Sequence, residues 1–276
     1  MRFWGLISIF AACLIAFTKR EGASLPQSVP TNLWSAYSTI YRILSLPNVR
    51  KLALALLLAR VGFTALDSIA PLKLIEKGFP REQLALTVLI DFPCQVIIGF
   101  YAARWSSGHR PLLAWQNALF FKLIMALVVM FVLALFPRSG DISNLYFFLI
   151  ALVTVVSSFA TTALFSSMSS FFSRISDPSV GGTYMTLLNT MNNLGGLWPK
   201  LLVMSAVDWF TVRSCSSEGA CRVLLDGYYI VNVICVVLGV GLAIGLLIPT
   251  IRRLETMPPR MWQIHHSLPG HLANLV

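Results

Sequence analysis

The feature that most limits what this chain can become is a succession of long apolar runs, each about as long as a bilayer is thick. A helix rises ~1.5 Å per residue, so ~20 apolar residues cross a hydrocarbon core of ~30 Å. Six stretches reach that length: Leu52–Pro71, Leu84–Trp105, Pro111–Phe136, Leu145–Phe172, Gly181–Ala206 and Tyr228–Thr250. The fifth is the least apolar, being rich in Gly, Asn and Thr. A shorter run, Phe3–Phe17, opens the chain and has two readings. It is either the core of a secretory signal after Met1-Arg2 or the remnant of a preceding span. Composition agrees with a membrane protein. With 57% hydrophobic and 12% charged residues, the chain has too little charge for the surface of a soluble globule and too few polar groups to stay disordered. The expected class is an all-α integral membrane protein.

The charges between the spans alternate. Lys19, Arg20, Arg42, Arg50, Lys51, Arg104, Arg110, Arg174, Arg252, Arg253 and Arg260 fall on one face, against only Glu21, Asp177 and Glu255. On the opposite face six basic and six acidic residues cancel. Lys/Arg bias sets orientation, so the basic face is read as cytosolic. The net charge of +10 is therefore topological, with some attraction to anionic membrane lipid, and is not a nucleic-acid footprint.

The expected organisation has four parts: residues 1–17 as the remnant of a preceding helix, 18–51 as a cytosolic linker, 52–250 as six spans, and 251–276 as a cytosolic tail. Within the linker, Leu33, Trp34, Tyr37, Ile40, Tyr41 and Leu44 recur at three- and four-residue spacing, which predicts a short amphipathic helix at the interface, ended by Pro47. The tail carries Pro258, Pro259 and Pro269 and reads as unstructured. A linker followed by six spans with both ends on one side is the layout of one half of a two-half transporter, whose substrate lies between the halves near the midplane. A chain of that kind needs an N-terminal six-helix half, or an oligomer, to enclose a pathway.

Charges inside a membrane cost at least ~2.5–3.5 kcal/mol each near its centre, so they are candidate functional residues. Arg60 and Asp67 share one face of the first span, Asp91 lies in the second, and Lys122 in the third. Two readings stand. Arg60 pairs with Asp91 or Asp67 merely to hold helices together, or the cations form a patch for an anionic substrate, with Asp67 and Asp91 as gating or proton-coupling carboxylates. Lys122 would snorkel if the third helix is peripheral. In the fifth span Gly181-Gly182 and Gly195-Gly196 flank a polar centre, and Pro199 is expected to interrupt the helix. Tyr184, Asn189, Asn192 and Asn193 offer hydrogen bonds there, Trp198 a stacking face and Lys200 a charge; the competing reading is a tightly packed helix with Gly for close approach. The stripe Ser157, Ser158, Thr161, Thr162 and Ser166 either lines the same cavity or bonds back to its own helix.

Cys215 and Cys221 fall in the polar loop on the less basic face, either as a disulfide or as two thiols. His265, His266 and His271 in the tail either bind metal or are solvated, and the second reading is adopted, so no metal and no cofactor is expected. The chain has no HExxH, GxSxG, Walker or CxxC pattern, so no enzyme chemistry is expected.

The run Ser176-Asp177-Pro178-Ser179-Val180-Gly181-Gly182-Thr183-Tyr184-Met185-Thr186-Leu187-Leu188-Asn189-Thr190, with Asn193-Leu194-Gly195-Gly196 and Trp198-Pro199, resembles the acetyl-coenzyme A transporter family of the endoplasmic reticulum. So do Leu72–Leu86, Leu225-Asp226-Gly227-Tyr228-Tyr229, and Arg60–Asp67, which is similar to the family's seventh helix. The resemblance implies the C-terminal half of a major facilitator superfamily transporter. Gly99 and Arg104 fit that superfamily's loop pattern, while Ala103 stands where it has an acid. The implied activity is movement of acetyl-CoA from cytosol to the endoplasmic reticulum lumen by alternating access, through a multi-pass protein of that membrane, coupled to CoA exchange or protons. On their own chemistry, the residues expected to bind such a substrate are Arg60, Lys122, Tyr184, Asn189, Asn193, Trp198 and Lys200. The alternatives are transport of another organic anion, and a half that does not transport.

Overall fold

A computed structural model describes residues 10, 13–14, 33–106, 111–137, 143–215 and 221–263. The tail histidines and most of Phe3–Phe17 lie outside the described residues. The elements are α1 (Leu33–Ser45), α2 (Pro47–Leu58), a 3-10 turn (Val61–Phe63), α3 (Thr64–Ser68), α4 (Ala70–Glu76), α5 (Arg81–Ser106), α6 (Pro111–Ala134), α7 (Asn144–Ile175) and α8 (Gly181–Phe210). A hairpin of β1 (Val212–Cys215) and β2 (Cys221–Leu225) follows, then α9 (Gly227–Leu242), a π-helical stretch (Ala243–Leu247), α10 (Ile248–Glu255) and a 3-10 turn (Pro259–Trp262). Five stretches among the described residues are long and apolar enough to cross a membrane: Pro47–Glu76, Arg81–Trp105, Pro111–Ala134, Asn144–Ile175 and Gly227–Glu255. The fold is that of an all-α integral membrane protein. The sixth long helix, α8, has 30 residues, and its Asn, Thr and Gly dilute its apolar character.

The break expected in the fifth span is instead in the first. Helix α8 runs through Pro199 without interruption, with that proline buried between neighbours that support the helix. The first span is in pieces: α2 stops at Leu58, Arg60 has φ −96° and ψ −7°, and a 3-10 turn leads into α3 and α4. Two local causes are visible. Gly62 meets α9 backbone to backbone, and a Cβ there would lie 2.7 Å from the Gly239 Cα and 2.6 Å from Leu123 Cδ2. Pro71 starts α4 within its first turn, where a missing N–H is tolerated. The Arg60 carbonyl at the break is not abandoned, because the Thr64 hydroxyl donates to it at 2.7 Å.

Helix α5 packs along α7, and α7 along α6, while the broken first span lies against α8 and α9. The interior is apolar, built on residues such as Leu52, Leu56, Leu119, Ala126, Phe172, Leu188 and Tyr228. The outside is apolar too. Helix α5 exposes Leu89, Phe92, Val96 and Phe100, and α8 exposes Leu197, Leu201 and Trp209, as a lipid or helix neighbour requires. Helix α1 exposes Trp34, Tyr37 and Tyr41 while burying Ile43.

The first part of the tail is folded, contrary to the expectation of an unstructured segment. Trp262 is fully buried, packs edge-on against Phe171, and accepts a hydrogen bond from Tyr184 Oη at 3.2 Å through its carbonyl. The Asn48 amide donates to the Met261 carbonyl at 3.2 Å. A large aromatic side chain thus outweighs the local prolines by burying its surface. On the less basic face, Lys73 bridges Glu76 and Asp226, both at 2.8 Å, and so ties α4 to the start of α9. Asp226 also caps α9 by accepting from the Tyr228 N–H at 3.0 Å. The polar loop before it contains the antiparallel hairpin, in which Cys215 stands opposite Cys221.

Candidate functional site

Asp67, on α3, is where the polar groups of the membrane segments converge. Lys122 Nζ lies 2.9 Å from its Oδ1 and donates to Ser157 Oγ and Thr161 Oγ1, both at 2.8 Å. An ammonium has three protons to donate, so all three are placed. The ring of Phe63 lies beneath it, 5.8 Å from Nζ to centroid. Lys122 does not snorkel: its side chain is 3% exposed, against 32% for Asp67. The third span is half-buried between α7 and α9, so it is no peripheral helix from which a lysine could reach water.

The pair therefore opens on its carboxylate side, onto two cavities that share Asp67. The first, about 300 Å³, is bounded by Leu66, Leu74, Val129 and Ile150 and has Lys122, Thr87, Thr154, Ser157, Ser158 and Thr161 as its polar wall. The second, about 390 Å³, is lined by Arg60, Thr64, Asp67, Asn193, Gly196, Leu197 and Lys200. Among the described residues neither Arg60 nor Lys200 has a carboxylate at ion-pair distance. The second cavity thus holds two cations and one carboxylate that is already spent on Lys122.

The sequence around Gly195-Gly196 builds that cavity from behind. A Cβ on Gly195 would collide with the Leu56 carbonyl, so glycine lets α8 cross α2 at backbone distance. A Cβ on Gly196 would sit 3.0 Å from Arg60 Nη1, so the second glycine makes room for the guanidinium. Trp198 Nε1 donates to the Leu57 carbonyl at 2.9 Å, satisfying an acceptor left open where α2 ends.

Of the residues singled out from the sequence, Arg60, Asp67, Asn193 and Lys200 meet in one cavity, and Lys122 joins them through Asp67. Others lie elsewhere. Tyr184 is fully buried at the tail turn, and its ring faces no cavity. The Trp198 indole is engaged with α2 rather than offered as a stacking face. Asn189 lines neither cavity, and its buried Oδ1 has no hydrogen-bond donor. Asp91 is buried beside α7, accepting from Ser158 Oγ at 2.9 Å and from Gln95 Nε2. Of the two partners considered for Arg60, neither Asp91 nor Asp67 forms an ion pair with it among the described residues. The hydroxyl stripe does not share the cavity of the fifth-span groups: Ser157, Ser158 and Thr161 line the first cavity, while Thr161 and Thr162 also donate back to the Ser157 and Ser158 carbonyls. Thr64, Thr87, Thr154 and Phe63 were not marked by their sequence, since single hydroxyls and a phenyl ring in apolar runs carry no pattern. The side chains of Cys215 and Cys221 lie outside the described residues. Among the described residues no cluster of His, Cys, Asp or Glu could hold a metal.

Fold and site together define a multi-pass membrane protein with a cation-lined cavity among its spans. The chain belongs to the family described as acetyl-coenzyme A transporter 1, whose model matches residues 9–114 and 109–264. It is 33% identical over 340 aligned positions to an uncharacterized membrane protein of Saccharomyces cerevisiae, covering 95% of this chain and 61% of that protein. An uncharacterized protein of Schizosaccharomyces pombe is 32% identical, over 97% of this chain and 54% of its own length. A second, shorter S. cerevisiae protein is 40% identical over 30% of this chain and 81% of its own. The chain thus spans little more than half the length of the two relatives that it matches throughout. No solved structure matches it.

Proposed function

We propose that this chain takes part in moving acetyl-CoA from the cytosol across the endoplasmic reticulum membrane into its lumen. The observation that carries the reading is the second cavity, which Arg60 and Lys200 both line while its carboxylate, Asp67, is paired with Lys122. Coenzyme A presents several phosphate charges, and a guanidinium can bind phosphate through two parallel hydrogen bonds. Asn193 supplies a further hydrogen-bonding group at the same wall. Lys122 acts through Asp67: as long as it holds that carboxylate, the field in the cavity stays positive.

In this reading the six long helices rock as one body against a further six-helix half, in the manner of the major facilitator superfamily, and the cavity is exposed first to one face and then to the other. Asp67 is the gating carboxylate, because its partners change as substrate phosphates compete for the cations. Exchange against CoA or movement of a proton is the coupling step, with Asp91 as the second carboxylate available for it. The family relation supports the substrate; the Lys/Arg bias of the loops supports which face is cytosolic.

The test is uptake of labelled acetyl-CoA into proteoliposomes by the full-length protein carrying Arg60→Ala or Arg60→Lys. Arg60→Ala is expected to abolish saturable uptake and Arg60→Lys to retain part of it, since the charge remains but the bidentate geometry is lost. Unchanged uptake in both removes Arg60 from the site. Competition by CoA, an oxidised thiol peptide or a muropeptide-like anion separates acetyl-CoA from other organic anions.

A further inference from the structure

A third cavity, about 210 Å³, lies away from Asp67, between α2 and the α9–α10 end of the chain. Lys51 and Leu54 line it from α2; Leu246, Thr250, Arg253 and Leu254 line it from the other side. Helical rise sorts these residues by depth. Lys51 is in the early turns of α2 and Leu54 almost one turn further in. Arg253 is near the end of α10, and Leu246 lies roughly 10 Å deeper along the same run. The groove is therefore cationic where it meets the basic face and apolar where it enters the membrane.

Local backbone shapes it. Residues Ala243–Leu247 are wound as a π-helix, a widened turn that occurs mostly where a helix serves a site. A Cβ on Gly245, within that stretch, or on Gly241, just before it, would meet nothing within 4 Å. Lys51 and Arg253 are exposed and form no ion pair among the described residues. Glu255, the acid nearest on α10, is engaged by the Leu112 N–H at 3.2 Å. Leu54 is 51% exposed, so the apolar wall is open sideways rather than sealed.

We propose that this groove holds one anionic glycerophospholipid from the leaflet of the basic face. The headgroup phosphate sits between Lys51 and Arg253 with the Thr250 hydroxyl donating to it, and an acyl chain lies along Leu54 and Leu246. Two cations and a hydroxyl match a phosphate, and the apolar half of the groove distinguishes a lipid from a soluble anion. The site is independent of what the membrane segments transport.

The experiment is native mass spectrometry of the full-length protein released from nanodiscs of phosphatidylcholine, with and without phosphatidylserine. The wild type is expected to retain phosphatidylserine in preference to phosphatidylcholine. The double variant Lys51→Gln/Arg253→Gln is expected to lose roughly tenfold of that preference, as two basic groups near a membrane surface allow. Arg42→Gln/Arg50→Gln, which removes two other exposed cations of the same face, is expected to leave it within about twofold. No preference in the wild type, or an equal loss in both double variants, overturns the site. Displacement of the retained lipid by inorganic phosphate alone overturns the assignment to a lipid.

Discussion

Lys122 and Asp67 make an ion pair whose two ends sit in different surroundings, and this allows the order of three substitutions to be worked out. Asp67→Asn leaves an ammonium that is 3% exposed without its counter-ion, although Ser157 and Thr161 still accept from it. Breaking a buried pair from one side costs about 3–5 kcal/mol, and this case falls in that range. Lys122→Met leaves the other partner, a carboxylate that is 32% exposed and able to hydrate through the cavities. Its cost is smaller, about 2–3 kcal/mol, close to that of one membrane-embedded charge with access to water. The double variant Lys122→Met/Asp67→Asn removes both charges and is expected to cost less than Asp67→Asn alone. The coupling energy of the cycle should then be at least the cost of Lys122→Met, about 2–3 kcal/mol, at the top of the range for residues in direct contact. Reversible unfolding in bicelles, followed by tryptophan fluorescence or by steric trapping, measures all four species. The reasoning is refuted if Lys122→Met proves the more damaging single change, or if the two effects simply add.

Other expectations follow from single contacts. Gly195→Leu should prevent folding, because its side chain has no space against the Leu56 carbonyl, whereas Gly196→Ala should fold and weaken acetyl-CoA binding by displacing Arg60; thermal melting and a binding isotherm separate the two. Trp262→Ala should cost about 3–5 kcal/mol of stability in the same unfolding assay, as for other fully buried aromatics. The strand register pairs Cys215 with Cys221, so in an oxidising compartment a disulfide is expected between them; thiol alkylation before and after reduction, read by mass spectrometry, should shift by two labels.

The run lengths in the sequence were enough to place the long helices, because span length depends only on bilayer thickness and helical rise. The position of the break was not. Pro199 is a strong local signal, yet α8 runs through it as one helix, while the first span breaks beside Gly62, whose close approach to Gly239, 177 positions later, no local pattern shows. The same distinction runs through the site. Arg60, Asp67, Lys122 and Lys200 stand out because charge is rare in such segments, and they do converge. Which cation holds which carboxylate was hidden, since it depends on the facing of α6 and α7. Tyr184 and Trp198 look like binding groups by composition and are occupied in the structure by a carbonyl each. Trp262 was hidden among prolines, and only its partners on α7 and α8 reveal why the chain folds back there.

Asp67 rides on a segment of five residues set off from its neighbours by the irregular backbone at Arg60–Phe63 and at Ile69. A rigid rod would have to swing its full length to re-aim a side chain at its middle. Because the helix is interrupted before Asp67, its carboxylate is aimed by a five-residue segment and not by the axis of a whole span. The acid that borders both cavities is thus oriented apart from the long rods around it.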